Sequence, residues 1–402
     1  MTQAAPRRSG EVDRSPWSVF LIFLRLGLTS FGGPVAHLGY FRDEFVVRRR
    51  WLAERSYADL VALCQFLPGP ASSQVGLALG LSRAGYRGAL AAWAGFTLPS
   101  ALALITFATS LVYQNSLNAG VLQGLKVVAV AVVAQAVWGM ARTLCPDRLR
   151  VTLMASTAVA ILLLPFIWAQ PLILVIAGLL GLWLISPTTN AQQDALPLQV
   201  SRRAGSLALA LFFILLLGLP LLAALIPSQM LALVDSFYRV GSLVFGGGHV
   251  VLPLLEAETV QPGWVDADTF LAGYGATQAV PGPLFTFSAF LGTTMNTGLP
   301  GWIAGLICLL AIFLPSFLLV IGALPFWAQL RRSPRTQAAL AGINAAVVGL
   351  LLAALYQPVW TSAINTAQDF ALALTAFVAL VFWKLPPWLV VLATAALGWL
   401  SA

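Results

Sequence analysis

Charge is what this 402-residue chain has least of. Asp, Glu, Lys and Arg make up 9% of it, where a soluble domain needs about a quarter. Hydrophobic residues account for 59%, and the mean hydropathy is +0.88. So little polar surface cannot cover a body in water, so the outer surface must face lipid. Acidic residues are absent from the middle of nearly every apolar segment, which argues against a cation pump or a carboxylate proton wire. Cysteine is scarce too: Cys64, Cys145 and Cys308 stand singly, without metal-ligand spacing, and read as small apolar residues. No Ser/His/Asp grouping, HExxH, Walker loop or CxxC is present. The expectation is therefore no catalytic residue, no metal, no cofactor and no enzyme.

What is there is apolar length. Stretches of about 20 residues, enough to span a bilayer core as helix, recur throughout, and runs such as 207–217 (LALALFFILLL) do not alternate as barrel strands would. The fold class is an all-α polytopic membrane protein whose lipid partner is the bilayer. The net charge of +8 sits in short loops, as in inner-membrane proteins, and is no nucleic-acid signal. Residues 1–16 carry Arg7, Arg8 and Arg14 without a cleavable site after a short apolar core, and read as a retained cytoplasmic tail.

The chain repeats itself. Arg25, Gly27 and Phe31-Gly32-Gly33 return as Arg239, Gly241 and Phe245-Gly246-Gly247 at an offset of 214; Trp51, Gln65 and Pro68-Gly69-Pro70 return as Trp264, Gln278 and Pro281-Gly282-Pro283 at 213; Leu98-Pro99-Ser100 returns as Leu314-Pro315-Ser316 at 216. Three blocks in one order mark a duplication. The first repeat covers 17–186 and the second 234–402. The linker 187–233 holds one extra apolar span, Leu207–Ile226. Each half has an even number of crossings, so that single helix delivers the second half upside down, giving two inverted-topology repeats.

About 13 apolar segments can be counted. If all crossed, loops on the N-terminal side would hold 14 basic residues and the other side 5, all in the first loop: Arg42, Arg48, Arg49, Arg50 and Arg55. If instead the first two segments of each half are re-entrant hairpins, all 19 loop basic residues fall on one side, the arrangement favoured here. Both arrangements put the N-terminus in the cytoplasm and the C-terminus in the periplasm.

Pro68-Gly69-Pro70 and Pro281-Gly282-Pro283 cannot sit inside regular helix, and such a break survives at membrane depth only when buried or lining a polar cavity. The helix that restarts after it offers unpaired N–H groups and a positive dipole end, which suits an anion. Ser72, Ser73 and Gln74 add donors in one copy, and Thr286 and Ser288 in the other. Phe31-Gly32-Gly33-Pro34 and Phe245-Gly246-Gly247-Gly248 are a second pair of breaks. Arg25 and Arg239, six residues before each Phe-Gly-Gly, are costly in an apolar segment and are anion-binding candidates; snorkelling to the interface is the plainer alternative. Lys126, matched by Asn344, is a further candidate for anion contact, with snorkelling as the alternative. Gln278 joins the substrate-binding set as the partner of Gln65. Glu44 and Glu258 sit at hairpin ends, His37 and His249 lie near the Phe-Gly-Gly breaks, and Trp51 and Trp264 fit interfacial anchors.

Phe-Gly-Gly-Pro near the start, Pro-Gly-Pro about 35 residues on, and a second copy of both resemble the chromate ion transporter family in its long, two-domain form. The resemblance covers the chain after its tail. It implies a bacterial inner-membrane secondary transporter that exports chromate, driven by the proton motive force, with sulfate as a related oxyanion. It carries Phe31, Gly32, Gly33, Pro34, Pro68, Gly69, Pro70, Phe245, Gly246, Gly247, Pro281, Gly282 and Pro283 as family positions. Gly248 departs from the pattern where the first copy has Pro34. A passive oxyanion channel and a sulfate or molybdate transporter are the alternatives, and a homodimer is left open.

Overall fold

The computed structural model describes residues 14–114, 119–164, 169–186, 200–245, 248–330 and 333–401, and among these there is no strand. In the first half α1 (Pro16–Thr29), α2 (Gly33–Arg42), α3 (Glu54–Phe66) and α4 (Ala71–Gln114) precede α5 (Ala119–Leu144), α6 (Arg148–Leu163) and α7 (Ala169–Leu184). After α8 (Arg202–Leu225) the second half runs through α9 (Gln229–Leu243), α10 (Val251–Thr259), α11 (Ala267–Thr277), α12 (Phe287–Thr294) and α13 (Gly301–Ala323). It ends with the single turn α14 (Trp327–Leu330), α15 (Pro334–Ala354), the short α16 (Thr361–Ala363), α17 (Ala367–Val381) and α18 (Pro387–Ser401).

The helices stop where the sequence says they must. Gly32, Gly33, Gly69 and Gly282 have φ of 101°, 79°, 120° and 104°, a region closed to most side chains. At each break the chain doubles back. The Phe23 ring of α1 packs on Phe41, 5.6 Å away, and on Phe45, 5.0 Å away, so α2 returns alongside α1. From the second break the first arm of α4 descends until Arg83 lies 4.7 Å over the Trp51 ring, beside the start of α3. The chain then reverses again at Ala84 and Gly85, two non-helical residues inside α4. There Gly80 and Gly88 each lie against the other's carbonyl oxygen, too close for any side chain. The second half repeats the pattern. Arg239 of α9 meets Glu258 of α10, and Gly292 and Gly305 bring α12 and α13 together across their turn.

The halves interlock through their last helices. Gly124 of α5 lies against the Thr394 carbonyl and Gly398 of α18 against the Gly120 carbonyl, while Gly181 of α7 meets Ala338 and Gly342 of α15. Small residues let backbones approach where no hydrophobic force drives helices together. Thus α5 packs on the second half's α17 and α18, and α15 packs on the first half's α6 and α7.

Among the described residues five helices are long and apolar enough to cross a membrane: Ala71–Val112, Ala119–Leu144, Arg202–Leu225, Gly301–Phe326 and Pro334–Ala363. Along α8, Leu207, Ile214, Leu217 and Leu221 are exposed, as expected of a helix bathed in lipid. The architecture is consistent with an all-helical polytopic membrane protein.

Candidate functional site

The breaks of the two halves meet. The Gly69 N–H donates to the Val244 carbonyl at 2.7 Å, and the Gly282 N–H donates to the Ser30 carbonyl at 3.0 Å. Gly69 corresponds to Gly282 and Ser30 to Val244, so the two bonds are reciprocal, the signature of a two-fold relation between contacting parts. The serines of the repeated Leu-Pro-Ser block obey it as well. A Cβ on Gly69 would lie 2.6 Å from Ser316 Oγ, and one on Gly282 would lie 2.7 Å from Ser100 Oγ.

Each hairpin apex holds one helix C-terminus and one N-terminus, so the dipoles alone would cancel. Several of the negative ends are answered by the protein itself. The Ser30 carbonyl accepts from Gly282 and from His37 Nε2 at 3.2 Å, the Pro68 carbonyl accepts from Gln74 Nε2 at 2.6 Å, and the Val244 carbonyl is taken by Gly69. At the start of α4 the N–H groups of Ala71, Ser72 and Ser73 have no acceptor among the described residues, while Gln74 N–H already bonds the Pro70 carbonyl. What stays open is the positive end.

Side chains around the breaks are open too. Ser30 Oγ, Ser73 Oγ, Gln74 Oε1, Thr97 Oγ1, Ser316 Oγ and Gln278 Nε2 are buried and lack a hydrogen-bond partner. Each such group costs about 1–3 kcal/mol when left unsatisfied. A cluster of them marks a place that a polar ligand or water completes. Ser30, Thr97 and Ser316 escaped the sequence reading, although Ser316 belongs to a repeated block and could have been found there. Ser72 Oγ lies 3.4 Å from His37 Nδ1; Thr286 and Ser288 donate to the Pro283 and Phe285 carbonyls.

The arginines are elsewhere. Arg25 is exposed, on the same stripe of α1 as Leu21 and Leu28. Arg239 is engaged by Glu258 at 2.7 Å and Asp235 at 3.4 Å. Of the two anion-binding candidates, one is thus exposed and the other already engaged by carboxylates. The difference between them arises because Glu44, the counterpart of Glu258, is held by Arg48 at 3.0 Å and Arg49 at 2.7 Å, leaving Arg25 none of it. Lys126 forms an ion pair with Asp268 at 2.9 Å, and Asn344 Oδ1, in the matching place, has no partner. Trp51 is no interfacial anchor either. It is buried, stacked near Phe45 and under Arg83.

Of the remaining positions, Phe31 packs 6.0 Å from Trp388, Phe245 is half-buried, and Gly246 and Gly247 lie outside the described residues. A Cβ on Gly248 would fall 3.0 Å from Pro34 Cγ, so the odd glycine of the second copy makes room for its own counterpart's ring. His249 Nδ1 bonds Tyr274 Oη at 2.9 Å, and its Nε2 lies 3.7 Å from where a Gly33 Cβ would be. Among the described residues no three His, Cys, Asp or Glu group to hold a metal.

The family model described as Chromate transporter matches residues 17–182 and 231–399, the two halves almost to their ends. A chromate transport protein of Pseudomonas aeruginosa is 29% identical over 95% of this chain and 91% of its own. One of Cupriavidus metallidurans is 25% identical over 97% and 95%. An uncharacterized transporter of Methanocaldococcus jannaschii is 28% identical over 84% and 83%. No solved structure gives a significant match.

Proposed function

The chain belongs to the chromate transporter family, and from that premise we propose that it carries chromate, or a similar tetrahedral dianion, through the junction of its two halves. Its family is one of transporters, not enzymes. One observation carries the reading: reciprocal bonds between Gly69 and Val244 and between Gly282 and Ser30 gather the breaks at one place. There the helix N-terminal N–H groups and buried hydroxyls remain unanswered. Preorganised neutral dipoles can hold a dianion without a fixed countercharge, because they need not reorganise when it arrives. Arg25 and Arg239 then act outside the anion's first contacts.

The transport cycle proposed is secondary and active: export across a bacterial inner membrane, driven by the proton motive force. The repeats are inverted, the α1–α2, α3–α4, α9–α10 and α11–α12 turns are re-entrant, and nine helical stretches cross. The second arm of α4 beyond Gly85, α5, α6, α7, α8, α13, α15, α17 and α18 are those stretches. The stacking of Phe107, late in α4, on Phe290, beside the turn into α13, supports the inversion, since it brings the end of one crossing to the start of its counterpart. The N-terminus is cytoplasmic and the C-terminus periplasmic.

Purified protein in liposomes tests this directly, with chromate, sulfate and molybdate each offered against an imposed proton gradient. Accumulation of chromate that stops when the gradient is collapsed is expected. No movement of any of the three would sink the reading, and flux indifferent to the proton gradient would mean a channel.

A further inference from the structure

The backbone of the two halves is symmetric around the breaks, but the side chains are not. Where the first half has Ser72, Ser73 and Gln74 after Pro-Gly-Pro, the second has Phe285, Thr286 and Phe287. Thr97 corresponds to Phe313, Ser30 to Val244, and His37 to Val251. The helix that restarts after Gly69 opens on side chains that can donate or accept; the one that restarts after Gly282 opens on two phenylalanines and a threonine.

Packing bears this out. Phe285 and Phe313 stand 5.8 Å apart, and Phe287 packs on Phe270 at 5.1 Å and Tyr274 at 5.8 Å, all of them buried. The one hydroxyl in that stretch, Thr286, already donates to the Pro283 carbonyl. Phe285 and Phe287 fill the start of this helix, and ring faces carry negative potential. An oxyanion there would lose its water and gain nothing. Around Gly69 the opposite holds. Ser73, Gln74 and Ser316 are all more than nine-tenths buried, each with a polar atom lacking a partner. Ser316 Oγ stands against Gly69 itself, above the open N–H groups at the start of α4.

We infer that the anion site is one-sided: a single oxyanion sits at the Gly69 break, held by the α4 N-terminus and the hydroxyls of Ser73 and Ser316. The Gly282 break serves as a packed aromatic counterpart. The second half thus contributes Ser316 and a backbone frame, but no second cradle. This rests on the transport reading above and says which of the two related breaks binds.

The two serines of the Leu-Pro-Ser blocks give the test, because they are equivalent by repeat and opposite by this inference. Ser316 has an unpaired hydroxyl beside the polar break, whereas Ser100 Oγ donates to the Thr97 carbonyl beside the aromatic one. In liposomes, Ser316→Ala is expected to raise KM for chromate about tenfold, the loss of one hydrogen bond to a charged group. The maximal rate should change far less. Ser100→Ala should leave KM within about twofold, as a substitution away from the ligand does. Equilibrium dialysis of wild-type protein with radiolabelled chromate should saturate at one anion per chain.

Equal KM shifts from Ser316→Ala and Ser100→Ala, or two anions bound per chain, would overturn the one-sided site while leaving transport standing. A wild-type protein that neither binds nor moves an oxyanion would overturn both. Should the substituted proteins fail to fold, the wild-type stoichiometry still decides.

Discussion

Gly69 and Gly282 show how a single residue can be required twice over. Their φ values of 120° and 104° exclude most side chains, and a Cβ would meet Ser316 Oγ or Ser100 Oγ well inside contact distance. Gly69→Ala and Gly282→Ala are each expected to cost about 2–4 kcal/mol, summing backbone strain and overpacking, read as a lower melting temperature in detergent. A melting curve unchanged in both would mean the apices are not built as described. The paired arginines separate in the same assay. Arg239→Ala leaves Asp235 and Glu258 without their cation, a loss of about 2 kcal/mol, the low end for a hydrogen-bonded charge pair because this one is partly exposed. Arg25→Ala, on an exposed stripe, should stay within about 0.5 kcal/mol. Equal effects would contradict the different partners the two residues have.

Elements join through a few such contacts, and the Lys126–Asp268 pair ties α5 of one half to α11 of the other. Lys126 is nearly buried and Asp268 mostly exposed, so the two ends of the bond are not equivalent. Removing the carboxylate strands an ammonium in hydrocarbon; removing the ammonium strands only a solvated carboxylate. Asp268→Ala should therefore destabilise by about 1–3 kcal/mol, whereas Lys126→Met should be neutral or stabilising. The reverse order in thermal unfolding would remove the pair as a structural link. Much at this scale was legible beforehand. Proline and glycine forbid helix locally, so the breaks at Phe31–Gly33, Pro68–Pro70 and Pro281–Pro283 could be read without knowing any neighbour. The reversal at Ala84–Gly85 likewise falls between two apolar segments. Partners more than 200 residues away in the chain could not be read. That Trp51 is covered by Arg83, and that Gly248 yields to Pro34, are matters of tertiary contact, whereas the pairing of Glu44 with Arg48 and Arg49 is local. For the same reason the carboxylates that engage Arg239, and the unpaired state of Ser73 and Ser316, could not be read from the apolar segments.

At the scale of the molecule, the doubling back of each hairpin decides which loops share a side of the membrane. Phe45 returning to the level of Phe23, and Arg83 to that of Trp51, carry the basic stretch Arg48–Arg50 back toward the end where α1 began. In the second half the turn Gln261–Gly263 returns toward the start of α9, which lies at the opposite end if the halves are inverted. With the N-terminus in the cytoplasm, Arg49→Cys is expected to resist an impermeant thiol reagent applied to intact cells, and Pro262→Cys to react with it. Cys64, Cys145 and Cys308 are buried and free, and replacing them gives the silent background. If every apolar segment crossed, the first loop would lie outside and its counterpart inside, so both results would invert together. Labelling of position 49 with protection of position 262 would thus remove the re-entrant arrangement. It would also undo the charge argument, because an inverted pair of hairpins is what lets one half keep its arginines inside while the other presents Glu256, Glu258, Asp266 and Asp268 outside.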